Sequence, residues 1–145
     1  MLAINTYKGN KQAVAINSAG GYTTLAFQFD NDTEVDSSCS VQWRNRMIVF
    51  GGYDDVDKKR QISEVKSCRL TRIGTLAFEL IGGACANMDD LKIFLCFNWL
   101  YYEGKVCRVA TNPLGTFSKI ADSHFHHYTT RTTASQGKCQ FQYKN

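Results

Sequence analysis

The sequence CSVQWRNRMIVFGG, residues 39–52, decides the fold. A short apolar segment and a polar turn lead into a second apolar segment that ends in two glycines, which is the pattern of a β-hairpin. Similar patterns return at residues 84–97 (ACANMDDLKIFLCF) and 132–143 (TTASQGKCQFQY). Alignment of the aromatic residue that closes each copy gives steps of 47 and 46 residues, for Phe50, Phe97 and Tyr143. The chain is therefore predicted to repeat one β unit.

A second pattern recurs with a similar interval. Residues 24–27 and 75–78 both read TLAF, and ten residues separate Cys from Phe both in 68–78 and in 107–117. Each unit is therefore predicted to hold a hairpin and two further strands. Units of about 40–50 residues built from short strands are typical of β-propeller blades or β-solenoid coils, and four strands per unit favour the propeller.

The predicted fold is all-β, with about three blades of four antiparallel strands and an incomplete ring. Residues 2–29 form an incomplete blade with strands at 2–7, 12–17 and 23–29. Two full blades follow, one at 37–81 with strands at 38–43, 46–50, 62–70 and 75–81, and one at 82–121 with strands at 83–87, 91–98, 105–110 and 116–120. Residues 128–145 supply the inner hairpin of a further blade. Open strand edges at both ends predict a homo-oligomer or a longer natural chain.

The cysteines point to an oxidising environment. Six cysteines are an even number, and no CxxC pair or zinc-type Cys/His spacing is present, so no metal or other cofactor is predicted. This composition fits a secreted protein. Asn31 begins the sequon Asn31-Asp32-Thr33, which predicts N-glycosylation.

One disulfide follows from the predicted strand pairing. Cys96 and Cys107 lie on the second and third strands of one blade, and pairing Phe97 with Val106 sets the two cysteines opposite each other. Cys68, treated as the equivalent of Cys107, would face about Val49 and must find another partner or stay reduced. The remaining connectivity is open.

Charge and hydropathy exclude several classes of partner. The net charge is +4 and the basic residues are scattered, so no nucleic-acid partner is predicted. No apolar run is long enough for a signal peptide or a membrane span, so no membrane partner is predicted. All three histidines lie within residues 124–127, where a linker whose imidazoles bond to loop carbonyls is favoured over a metal site.

Two loops are candidates for binding. Trp99, Tyr101 and Tyr102 could stack on a sugar or contact a protein, although packing between blades is the alternative. Tyr53, Asp54 and Asp55 lie in the loop GGYDDVDKKR, residues 51–60. This loop lacks the glycine and terminal glutamate of an EF-hand, which favours an exposed display loop over a Ca²⁺ site.

The apolar run and double glycine at residues 47–52, MIVFGG, resemble the kelch repeat. The second and third units have Phe97-Asn98-Trp99 and Tyr143-Lys144-Asn145 at the corresponding place. Across residues 35–143 the distributed cysteines are similar to those of kelch-like extracellular proteins of invertebrates. The resemblance implies a propeller that binds other proteins.

The sequence favours a non-catalytic interaction or scaffold module whose partner is a protein or a glycan. No Ser-His-Asp motif, phosphate loop or Cys-His nucleophile motif is present, so no catalytic residue is predicted. The alternatives are a carbohydrate-binding, lectin-like propeller and a glycoside-hydrolase-like propeller, because residues 110–117 resemble a turn of five-bladed glycoside hydrolases. Such enzymes need paired carboxylates, and the inner hairpins carry few acids beyond Asp89 and Asp90.

Overall fold

The structure of the 145-residue chain is a computed structural model, and it describes residues 2–5, 11–16, 19–30, 35, 37–53, 59–96 and 106–122. These residues form twelve strands: β1 Leu2–Asn5, β2 Gln12–Ile16, β3 Tyr22–Thr24, β4 Gln28–Phe29, β5 Cys39–Trp43, β6 Arg46–Phe50, β7 Gln61–Lys66, β8 Arg69–Thr75, β9 Ala84–Met88, β10 Lys92–Cys96, β11 Val106–Ala110 and β12 Ser118–Asp122. The described part of the chain is all-β. It contains no helix with the length and apolar character needed to cross a membrane.

The strands form three sheets, and in the described residues none closes on itself. The first sheet has the order β1-β2-β3 and the third has the order β12-β11-β10-β9. The second has the order β4-β8-β7-β6-β5, in which β5 to β8 form an antiparallel meander and β4 joins β8 in parallel. Apart from β4, strands that are neighbours within a sheet are thus also neighbours in sequence, as expected for strands joined by short loops.

Three tight hairpins use residues other than glycine in the left-handed region. The central residues Arg44-Asn45, Ser67-Cys68 and Asp89-Asp90 all have φ between 45° and 62°. Two consecutive residues with positive φ are the mark of a type I′ turn, whose twist matches that of the strands it joins. These turns set the registers Trp43↔Arg46 and Lys66↔Arg69.

The second sheet lies between the other two and buries both of its faces. Ile48 and Phe50 face the third sheet and pack with Ile93 and Leu95 of β10 in a core cluster. The alternate residues of β6 face the first sheet, where they pack with Ala13 of β2 in a second cluster. Strand β6 therefore reads as a continuous apolar run, since successive side chains enter opposite cores.

The two TLAF segments occupy equivalent places. After β3 ends, the Leu25 N–H donates to the Ala13 carbonyl at 2.9 Å, and after β8 ends, the Leu76 N–H donates to the Arg60 carbonyl at 2.6 Å. Leu25 packs on the cluster between the first and second sheets, and Leu76 lies in the cluster between the second and third. The segment thus ends the last strand of a sheet and places its leucine in the core beside the next sheet.

Several predicted strand bounds were wrong. The strand predicted at 23–29 stops at Thr24, and Gln28–Phe29 pairs with β8 of the second sheet. The strand predicted at 62–70 is broken at Ser67-Cys68 by a left-handed turn, and residues 76–81, most of the strand predicted at 75–81, are not strand. Cys68 is a turn residue and Cys107 lies within β11, so the two are not equivalent. The other strands of the second and third sheets lie within about two residues of their predicted positions.

Candidate binding surface

Strand β5 at one edge of the second sheet and β9 at one edge of the third run side by side in the same direction. Near their starts, Cys39 of β5 and Cys85 of β9 are joined by a disulfide. Near their ends, the Asn87 side-chain amide donates to the Gln42 carbonyl at 2.5 Å. Because β6 and β10 are antiparallel to these strands, both return to the disulfide end. We call the end at which β6 stops at Phe50 and β10 stops at Cys96 the loop end.

Both loops that the sequence predicts as binding loops begin at the loop end. The loop of residues 51–60 follows β6, and the segment of residues 97–105 follows β10. The two stretches start 46 residues apart in the sequence, yet they begin from neighbouring sheets on the same side of the molecule. A partner could therefore contact both at once.

The base of the first loop is held by a buried glutamine. The Gly51 N–H donates to the Gln61 carbonyl at 2.9 Å, and the Gln61 side-chain amide donates back to the Gly51 carbonyl at 2.9 Å. Gln61 is fully buried. A buried amide bonded in this way fixes the two ends of the loop, because losing either bond would leave a buried polar group without its partner.

The double glycine has a structural reason. Gly51 has φ +75°, and a Cβ at this position would overlap the backbone carbonyl of Leu80. Gly52 donates its N–H to that same carbonyl at 3.3 Å. The glycines therefore let β6 end against the segment that links β8 to β9, which only a residue without a side chain permits.

The base of the second loop is closed by the disulfide between Cys96 and Cys107, with a Cα–Cα distance of 4.2 Å. The pairing Leu95↔Arg108 places these cysteines directly opposite each other, so the predicted disulfide is present in the structure. Gly83 lies beside this base, since a Cβ on it would come 3.1 Å from the Cys96 carbonyl. Residues 97–105 thus emerge from a covalently closed base.

Tyr53 is the predicted binding residue that the structure describes, and it is 49% exposed at the loop end. The other predicted site residues lie outside the described residues: Asp54, Asp55, Trp99, Tyr101, Tyr102 and the sequon residue Asn31. The three histidines, Cys139 and the predicted hairpin at 128–145 also lie outside them. Their placement therefore stays a prediction.

At the opposite end, the hairpin turns of the two sheets are joined by hydrogen bonds. The Asp90 carboxylate accepts from the Arg44 N–H at 3.1 Å and from the Asn87 side-chain amide at 3.1 Å. Asn87 also donates to Gln42, as above. This network joins the two sheets at one end of β5 and β9, and the Cys39–Cys85 disulfide joins them at the other end. The two sheets therefore form a rigid support for the loops.

Other carboxylates in the described region form ion pairs. Glu64 accepts two hydrogen bonds from Arg46 at 2.8 and 2.7 Å, and Asp30 accepts two from Arg69 at 3.0 and 2.7 Å. The Arg46 hydrogen bonds hold the pKa of Glu64 below its ordinary value of 4.5. Among the described residues, no group of three or more His, Cys, Asp and Glu side chains is arranged to hold a metal ion.

No protein-family model matches this chain, and a comparison with curated proteins finds no match.

The Cys39–Cys85 link was missed at the sequence level, although the sequence carries a signal for it. Strands β5 and β9 begin at Cys39 and Ala84, so Cys85 lies one residue beyond the equivalent of Cys39. A shift of one residue along a strand turns a side chain to the opposite face. Cys39 therefore points toward the third sheet and Cys85 points back toward the second.

Proposed function

We propose that this chain is a non-catalytic interaction module made of kelch-like propeller blades that presents its loops to a protein or glycan partner outside the cell. One observation carries the proposal: the loops after β6 and β10 leave the same end of adjacent sheets, each from a fixed base. Binding residues are commonly carried on loops that a rigid scaffold positions. A fixed base lowers the conformational entropy that a loop loses when it binds.

The stacking of the sheets supports the propeller architecture. The second sheet is covered on both faces by its neighbours, and the edge strands β5 and β9 of the second and third sheets lie side by side. Sheets packed face to face, with their first strands toward a common axis, are what a propeller requires. The two disulfides support an oxidising compartment, because such bonds are rare in the cytosol.

The chemistry of the described residues supports binding over catalysis. Glycoside hydrolysis needs two carboxylates held across the scissile bond. The carboxylates of Asp30, Glu64 and Asp90 are instead engaged by arginine side chains or by the backbone and side chains of neighbouring turns. A glycan partner would be bound by the aromatic residues of the loops rather than cleaved.

A capture experiment tests the proposal. The full chain, produced with its disulfides, is applied to an array of immobilised glycans and to an array of secreted-protein ectodomains. The account predicts capture on one of them that is lost in Tyr53→Ala and in the double variant Tyr101→Ala/Tyr102→Ala. The thermal midpoint should change little, because side chains at loop tips contribute little to the fold.

Tyr22→Ala is the matched control, since Tyr22 is 76% exposed on β3 of the first sheet. It should leave capture intact. Equal loss of capture in Tyr22→Ala and Tyr53→Ala would contradict a site at the loop end. A large fall in the thermal midpoint of the Tyr101/Tyr102 variant would assign those rings to the core, and capture by neither array would remove the support for an interaction module.

A further inference from the structure

The third sheet has one face packed in the core and one apolar face turned away from the second sheet. Ile93 and Leu95 of β10 point into the core cluster, so Phe94, which lies between them, points outward. The pairings Phe94↔Ala86 and Phe94↔Val109 place these residues together on that outward face. Ala84 and Met88 lie on either side of Ala86 at alternate positions of β9, and the exposed Lys92, paired with Met88, lies at the rim of the same face. We call this set, Ala84, Ala86, Met88, Phe94 and Val109, the outward face.

The outward face is far more open than the matching face of the second sheet. Met88 is 57% exposed, Ala84 and Ala86 are also exposed, and Phe94 and Val109 are half-buried. On the second sheet, the residues that point toward the third are almost fully buried: Val41, Trp43, Ile48 and Phe50. The same kind of apolar surface is therefore covered by the following sheet in one unit and left open in the next.

The chain continues beyond this sheet with a segment of suitable pattern and spacing. Strand β8 ends at Thr75 and β9 begins at Ala84, so eight residues join the second sheet to the third. Strand β12 ends at Asp122, and the hairpin pattern of residues 132–143 begins after a linker of nine residues. The linker between the third sheet and residues 132–143 is thus nearly as long as the linker between the second sheet and the third.

The composition of that segment complements the outward face. Cys139, Phe141 and Tyr143 alternate with polar residues, so on a strand they would share one side. Aromatic rings pack well against other aromatic side chains and against the thioether of methionine, which are the large groups of the outward face. The small residues Ala84 and Ala86 leave space for a neighbouring strand to approach.

We propose that the outward face of the third sheet is the docking surface for residues 132–143 of the same chain. This inference concerns contacts within the chain and stands whether or not the loop end binds a partner. It assigns Phe141 and Tyr143 a structural role in covering Phe94 and Met88.

Photo-crosslinking on the full chain tests the inference. Phe94 is replaced by p-benzoylphenylalanine, which is similar in shape and reacts with C–H bonds that it contacts. After irradiation, the product is digested with trypsin and the crosslinked peptide is identified by mass spectrometry. The expected product keeps the mass of a single chain and joins the Phe94 peptide to the tryptic peptide of residues 139–144. Its yield should not change on dilution, and it should fall in Phe141→Ala/Tyr143→Ala.

The same photoreactive residue at Tyr22 is the control and should give no crosslink to residues 132–143. A crosslinked dimer from the Phe94 position would show that a second chain covers the outward face, which overturns the proposal. Crosslinks from the Phe94 position that never include residues 132–143, or photoproducts of solvent alone, would overturn it too.

Discussion

Cys39 and Cys85 lie on neighbouring sheets, 46 residues apart in sequence, with their Cα atoms 5.7 Å apart. Their disulfide joins β5 to β9, which are edge strands of the second and third sheets. Cys39 and Cys85 also border the core cluster that contains Trp43 and Phe50. The covalent link thus fixes the inter-sheet contact beside the bases of both candidate binding loops.

The first prediction compares the two disulfides. Removing a disulfide destabilises a protein mainly by freeing the unfolded chain, and the effect grows with the length of the closed loop. Cys39→Ser/Cys85→Ser should lower the free energy of unfolding by about 2–4 kcal/mol. Cys96→Ser/Cys107→Ser, which opens a loop of sequence separation 11, should cost about 1 kcal/mol less. Urea denaturation of the non-reduced proteins measures both, and a larger cost for the shorter loop would contradict the account.

The second prediction concerns the double glycine. Gly51→Ala must adopt positive φ and also overlap the Leu80 carbonyl, whereas Gly20→Ala must adopt φ +82° with no atom within 4 Å of its Cβ. Gly20→Ala should therefore cost about 1 kcal/mol of stability, from the backbone alone. Gly51→Ala should cost more by at least about 2 kcal/mol, because the segment holding Leu80 has to move. Equal midpoints for the two variants in thermal unfolding would show that the contact with Leu80 is unimportant.

The third prediction isolates the hydrogen bonds of Asp90. Asp89 and Asp90 have nearly the same backbone conformation, with φ 50° and 53°, so replacing either with alanine carries a similar backbone cost. The Asp90 carboxylate accepts bonds from Arg44 and Asn87. Asp90→Ala should therefore be less stable than Asp89→Ala by about 1 kcal/mol. Chemical denaturation at neutral pH gives the comparison, and a more damaging Asp89→Ala would refute the inter-sheet network.

The fourth prediction is a pH dependence. The pKa of Glu64 is lowered in the folded protein by hydrogen bonds from Arg46, so its carboxylate contributes stability above the ordinary value of 4.5. That contribution is lost as the pH falls through the lower folded pKa, because the folded protein must then take up a proton. Glu64→Gln should be less stable than the parent by about 0.5–1 kcal/mol at pH 7. The difference should shrink as the pH is lowered below 4.5, and a difference that grows in acid would have the wrong sign.

The all-β class and the two hairpins that turn at Arg44-Asn45 and Asp89-Asp90 were predictable from the sequence, because their signals are local. Short segments in which apolar residues predominate, on either side of Arg44-Asn45 or Asp89-Asp90, specify strands and a tight turn with little help from the rest of the chain. The turn at Ser67-Cys68 was not predicted, since Cys is not a usual turn former and a single serine is a weak turn signal. Its left-handed conformation is imposed by the pairing of β7 with β8. The parallel pairing of β4 was missed for the same reason, because two residues carry no pattern of their own.

The candidate site likewise contains one feature that the sequence predicts and one that it does not. The Cys96–Cys107 disulfide follows from strand register alone, and register is a property that the sequence expresses in its alternation. The hydrogen bond from the Gln61 side chain to the Gly51 carbonyl, at the base of the loop of residues 51–60, could not be predicted from the sequence. A glutamine at the start of a strand is ordinarily exposed. Gln61 is nevertheless fully buried, and Gly51, whose carbonyl it bonds, lies against the backbone of Leu80, which is distant in sequence from both.

The central claim is that successive sheets are joined by Cys39–Cys85 and that the second loop is closed by Cys96–Cys107. Trypsin places these four cysteines on separate peptides, residues 12–44, 73–92, 93–105 and 106–108. Mass spectrometry of the non-reduced digest, on protein from an oxidising compartment, therefore measures the claim directly. The account predicts a linked pair of 12–44 with 73–92 and a linked pair of 93–105 with 106–108. A link between 12–44 and 93–105, or recovery of Cys96 as a free thiol, would contradict it.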